Sequence, residues 1–140
     1  MSEHDIVAEW IQIAYDDYDS ALHLFETKHP KPLEIICYHC QQSIEKSLKA
    51  FLCAKQIEIP KTHNTGILCK LCAESDIRFE NFQETCYEMV VYATNTRYPI
   101  RIEIEEQDAE RALRQASEIF DFVSTALRIE IVTDAEPNEA

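Results

Sequence analysis

The sequence has one glycine, Gly66, and only five prolines. Turn punctuation that sparse excludes a many-stranded sheet and favours long helices joined by few links. No apolar run approaches the ~18–20 residues that a membrane span requires. The N-terminus, MSEHDIVAEW, has no basic stretch ahead of an apolar one, so a secretory leader is not expected. The expected location is cytoplasmic, and there the six cysteines are reduced thiols. Residues 1–27 hold seven acids and no Lys or Arg. A formal charge of −13 repels a phosphate backbone, so general nucleic-acid binding is not expected. The 140 residues suffice for one core. Residues 1–128 are expected to form a single helical domain, and 129–140 an acidic, disordered tail.

What the chain does have is helical periodicity. Ile6, Trp10, Ile13, Ala14, Ala21, Leu24 and Phe25 repeat at a helical spacing over residues 5–27. Asp17 falls on the Trp10–Ala14–Ala21 line, so it points inward or to an edge of the core and needs a partner. KHPKP then breaks the chain. A second helix is predicted from Leu33 to Lys55, with Ile36, Cys40, Ser43, Ile44, Ser47, Leu48 and Phe51 on one face and His39, Gln42, Lys46 and Lys49 on the other. Thr62 is the expected N-cap of a short third helix. A fourth helix is predicted over Phe79–Asn95, stopped by Tyr98-Pro99. IRIEIE (100–105) is an extended connector, and a last helix runs from Glu106 to Arg128. The expected fold class is all-α: an antiparallel up-and-down four-helix bundle with an additional short helix.

Cys37-x2-Cys40 and Cys69-x2-Cys72 have the spacing of two half zinc sites. Both pairs fall inside helical patterns, away from the Gly or Pro turns of zinc knuckles. They read as small buried hydrophobes, and no metal or cofactor is expected.

Residues 28–61 reverse the charge, with six lysines against three acids. Lys46 and Lys49, with His39 and Gln42, form the best surface for an acidic ligand or partner, although a solvated lysine face is the plainer reading. His63, opening the third helix, either donates to a phosphate near free amide groups or anchors its loop. Arg97 projects from the end of the fourth helix, to bind a phosphate or partner or to pair with Asp17. Tyr98 either stacks on a base or staples the loop. Gln41 and Glu45, one turn apart, read as architectural, with Glu45 bonding the loop backbone. No residue is assigned a catalytic role.

Four segments resemble the HEPN domain family (higher eukaryotes and prokaryotes nucleotide-binding). They are Trp10-x3-Ala14-x2-Asp17-x3-Ala21; YHCQQSIEKSLKAFL (38–52); KTHN (61–64); and YATNTRYP (92–99) followed by DAERALRQASEIFDFV (108–123). The resemblance implies a helical bundle, frequently a homodimer, often the partner of a minimal nucleotidyltransferase in a toxin–antitoxin pair. Other members of the family are metal-independent ribonucleases with an R-x4-6-H motif. This sequence departs from that motif: Arg97 is followed at five to seven residues by Ile102, Glu103 and Ile104, and Arg78 by Gln83, Glu84 and Thr85. The expected function is therefore a non-catalytic binding module, with an altered ribonuclease as the alternative. A nucleotide or other phosphate is its expected small ligand.

Overall fold

A computed structural model describes residues 2–93 and 103–131. All regular structure among them is helical, as the periodicity predicts. Helix α1 (Glu3–Thr27) begins with a reciprocal cap: Ser2 Oγ accepts from the Asp5 amide, and Asp5 accepts from the Ser2 amide. Helix α2 (Leu33–Ala54) starts directly after Pro32 and supplies much of the core, from Ile36 through Leu52. Helices α3 (Thr65–Ser75), α4 (Gln83–Glu88) and α5 (Glu106–Leu127) complete the bundle. α5 ends at Arg128, which takes the left-handed conformation at φ 57°.

α2 packs against both α1 and α5. Small residues let α1 and α2 approach closely, and Ser43 Oγ donates to the Ala14 carbonyl across the seam at 2.7 Å. On the other flank a run of rings joins the elements. Phe51 meets Phe79 at 4.6 Å between centroids, and Phe79 and Phe82 meet Phe122 at 5.1 and 5.3 Å.

Two local expectations are corrected. The fourth segment is not one long helix. Short α4 lies between 3-10 turns at Ile77–Phe82 and Met89–Tyr92. A 3-10 turn eclipses residues i and i+3, which sets Phe79 and Phe82 above one another so that both reach Phe122. The cap of α3 is Asn64, whose side chain accepts from the Ile67 amide at 3.0 Å. Thr62 acts one step earlier, accepting from the Asn64 amide at 3.1 Å. Residues 100–102 of the predicted connector lie outside the described residues.

Candidate functional site

Gln41 and Glu45 occupy consecutive turns of α2, and both are buried. A carboxylate withdrawn from water must find donors, or it costs several kcal/mol (about 3–5 when a partner is removed). Glu45 finds them on its own helix and on the loop that follows. Lys49, one turn on, donates to Oε2 at 2.9 Å, and Lys46 stands 3.8 Å from the same oxygen. His63 Nδ1 lies 3.2 Å from both carboxylate oxygens. Gln41 Nε2 donates to the His63 carbonyl at 3.0 Å and to Glu45 Oε1 at 3.4 Å. Its own Oε1 accepts from Gln42, whose Oε1 accepts from Lys46, both at 2.8 Å. The circuit is closed.

Burial alone would raise the Glu45 pKa. The Lys49 hydrogen bond, the charges of Lys46 and Lys49, and the His63 hydrogen bond outweigh it and hold the carboxyl below its ordinary value. Glu45 is thus ionised at neutral pH and can only accept. The proton of a neutral His63 must sit on Nδ1, leaving Nε2 as the open edge of a ring that is 72% exposed.

This arrangement revises the expected lysine ridge. The Lys49 and Lys46 side chains are only 12% and 19% exposed, and the Lys49 ammonium lies 5.9 Å from the Trp10 ring centroid. Lysine stems lie along apolar surface while their heads turn to the carboxylate. The loop backbone is bonded by Gln41, where Glu45 was the expected residue; Glu45 takes the imidazole instead.

Asp17 sits half-buried at the edge of the core, where His39 Nδ1 contacts its Oδ1 at 3.1 Å and joins α2 to α1. Arg97, the partner expected for Asp17, lies outside the described residues, as does Tyr98. The structure therefore brings His63, Lys46, Lys49, Gln41 and Glu45 together and places His39 with Asp17 in a separate pair. Trp10 and Gln42 complete the first group; the i, i+4 spacing of Gln42 and Lys46 was the sequence signal for their contact, and Trp10 carried none.

Cys37, Cys40, Cys69 and Cys72 all face the core. Burial pushes the Cys37 thiol up to about 12, and raises Cys40 and Cys72 too. Cys86 is raised by its hydrogen bond with Cys69 and by burial. Thiols so shifted are uncharged at neutral pH and are poor nucleophiles and ligands. Cys72 Sγ donates to the Leu48 carbonyl at 3.6 Å and Cys69 Sγ to that of Phe79 at 3.3 Å. Among the described residues, no three His, Cys, Asp or Glu side chains gather as metal ligands would. No described helix is long and apolar enough to cross a membrane.

The model of the HEPN domain matches residues 7–127. The chain belongs to the HEPN domain family. The crystal structure of ST0689, an archaeal HEPN homologue, superposes with a TM-score of 0.66 at 22% identity, over 86% of this chain and 97% of that one. At that identity the likeness speaks for the HEPN fold. A comparison with curated proteins finds no match. Two of the HEPN-like segments in the sequence, QQSIEK and KTHN, are one structural unit: they meet as Gln41, Glu45 and His63.

Proposed function

We propose that this HEPN protein is a binding and interaction module that performs no chemistry of its own. It acts in the cytoplasm as a homodimer and as the partner of a minimal nucleotidyltransferase, in the manner of a toxin–antitoxin pair. A nucleotide or other phosphate is its small ligand, met by the outer edge of the α2 polar group. The observation that carries this reading is the closed circuit around Glu45, in which Lys46, Lys49, Gln41 and His63 are committed to one another. The lack of an R-x4-6-H motif supports it from the sequence side. One observation favours a second reading, a metal-independent ribonuclease with an altered catalytic pair. His63 is oriented by a buried carboxylate and has an exposed ring, as a general base requires.

Incubation with total RNA in the presence of a chelator separates the two. RNA left intact at stoichiometric protein supports the binding module. Cleavage that disappears in Arg97→Ala or His63→Ala overturns it in favour of the nuclease. Co-purification with the product of the adjacent reading frame tests the partner role.

A further inference from the structure

A groove of about 700 Å³ opens along α3 and α4, lined by Lys70, Glu74, Ile77, Glu80, Gln83 and Tyr87. Ala73, Ile77 and Tyr87 form an apolar strip in it among charged and polar side chains. Ile77 is 69% exposed and Tyr87 48%; outside the groove, Ile67 on α3 and Val91 in the 3-10 turn after α4 are exposed as well. Four of the seven large apolar side chains exposed among the described residues thus fall between residues 67 and 91, and the two that line the groove, Ile77 and Tyr87, offer it apolar contact area.

The walls are bolted together. Thr65 Oγ1 donates to the Cys86 carbonyl at 2.6 Å, and Gln83 Nε2 to that of Gly66 at 2.8 Å. The Tyr87 ring lies directly on Gly66, where a Cβ would come within 2.0 Å of it. A groove so fixed binds with little reorganisation.

The rim selects the charge of what enters. Glu74 and Glu80 face a single lysine, Lys70. The last turn of α3 itself carries no basic residue to offset the partial negative charge at its C-terminus. Nearby Arg78 is already spent on Asp76, at 2.7 Å. A second copy docked face to face here would set Glu74 and Glu80 against the same acidic rim, and like charges oppose that pairing at this groove.

We infer that the groove docks a basic amphipathic helix from a different protein. Apolar residues at i, i+3 or i+4, and i+7 rest on Ile77 and Tyr87, while flanking Lys or Arg meet Glu74 and Glu80. The inference does not depend on the reading of the Glu45 circuit.

The probe is a fluorescein-labelled peptide of about 18 residues, with leucines at helical spacing and flanking lysines; its control carries glutamates in place of the lysines. Fluorescence anisotropy with the full chain should show saturable binding of the lysine peptide and at least ~10-fold weaker binding of the control. Ile77→Asp, and separately Glu74→Lys with Glu80→Lys, should each weaken the lysine peptide by about tenfold or more. Ile77 is exposed enough for its substitution to leave the fold intact, which circular dichroism checks. Three results overturn the inference. One is no binding at about 1 mM peptide. Another is binding that Ile77→Asp leaves unchanged. The third is concentration-dependent dimerisation in sedimentation that Ile77→Asp abolishes, since a second copy would then be the occupant.

Discussion

Glu45 and Ser47 stand two residues apart on α2, both withdrawn from water, and face opposite situations. Glu45 has four donors around it; the Ser47 hydroxyl has no hydrogen-bond partner. An unpaired buried hydroxyl costs about 1–3 kcal/mol, and alanine is a slightly better helix former. Ser47→Ala is therefore expected to raise stability by about 1 kcal/mol, a few degrees in Tm. Glu45→Ala strands two partly buried ammonium groups and should cost about 3 kcal/mol. Thermal melts of the two variants should move in opposite directions; a fall in Ser47→Ala would mean that the hydroxyl is bonded after all. At this scale the sequence was only half legible. The line Gln41–Glu45–Lys49 follows from i, i+4 spacing alone. That His63, eighteen residues away, closes onto it depends on the path of the loop between α2 and α3, which no local pattern encodes. The same holds for Asp17: its position demanded a partner, and helix packing brought His39 to it.

Among the elements, α1, α2 and α5 were legible to within two residues, because long amphipathic stripes leave no competing period. The fourth segment was not, because the same Phe79, Phe82, Cys86 and Met89 pattern suits either an α-helix or turns tightened to serve Phe122. The single glycine, Gly66, lies in the first turn of α3, and its missing side chain is what seats Tyr87. This sets two effects against each other in Gly66→Ala. Alanine gains about 1 kcal/mol of helix propensity. The added methyl drives a half-exposed ring off α3, which loses about 1.5–2 kcal/mol of burial. The net expectation is a loss of about 0.5–1 kcal/mol. In a Tyr87→Ala background the obstacle is gone, and the same Gly66→Ala change should stabilise by about 1 kcal/mol. A double-mutant cycle by urea denaturation reads this reversal of sign directly. Destabilisation of equal size in both backgrounds would show that the ring is not the cause.

For the whole molecule, charge sets the response to pH. The chain carries −13 at pH 7 with a pI near 4.7, so acidification from neutrality first relieves self-repulsion and stabilises the compact state. Glu45 opposes this lower down. Its folded-state pKa is depressed, so its contribution is complete above the unfolded value of about 4.3 and is lost as pH falls through the folded one. Asp5 and Asp76 are depressed as well, by the Ser2 and Arg78 hydrogen bonds, but both are solvated and add little. At the alkaline end the sign is set by the thiols. Cys37 ionises near 12 in the folded chain, and Cys40, Cys72 and Cys86 are raised in the same direction. Their stabilisation is complete below the unfolded thiol value of about 8.5 and drains away as pH rises above it. Tm measured under reducing conditions should therefore peak at about pH 5–6, decline gently to about 8 and fall more steeply beyond. Added NaCl should raise the pH 7.5 value by screening repulsion, with far less effect near pH 5. A Tm that climbs steadily from pH 5 to 8 would mean that local ion pairs, the Glu45 circuit foremost, outweigh the net charge.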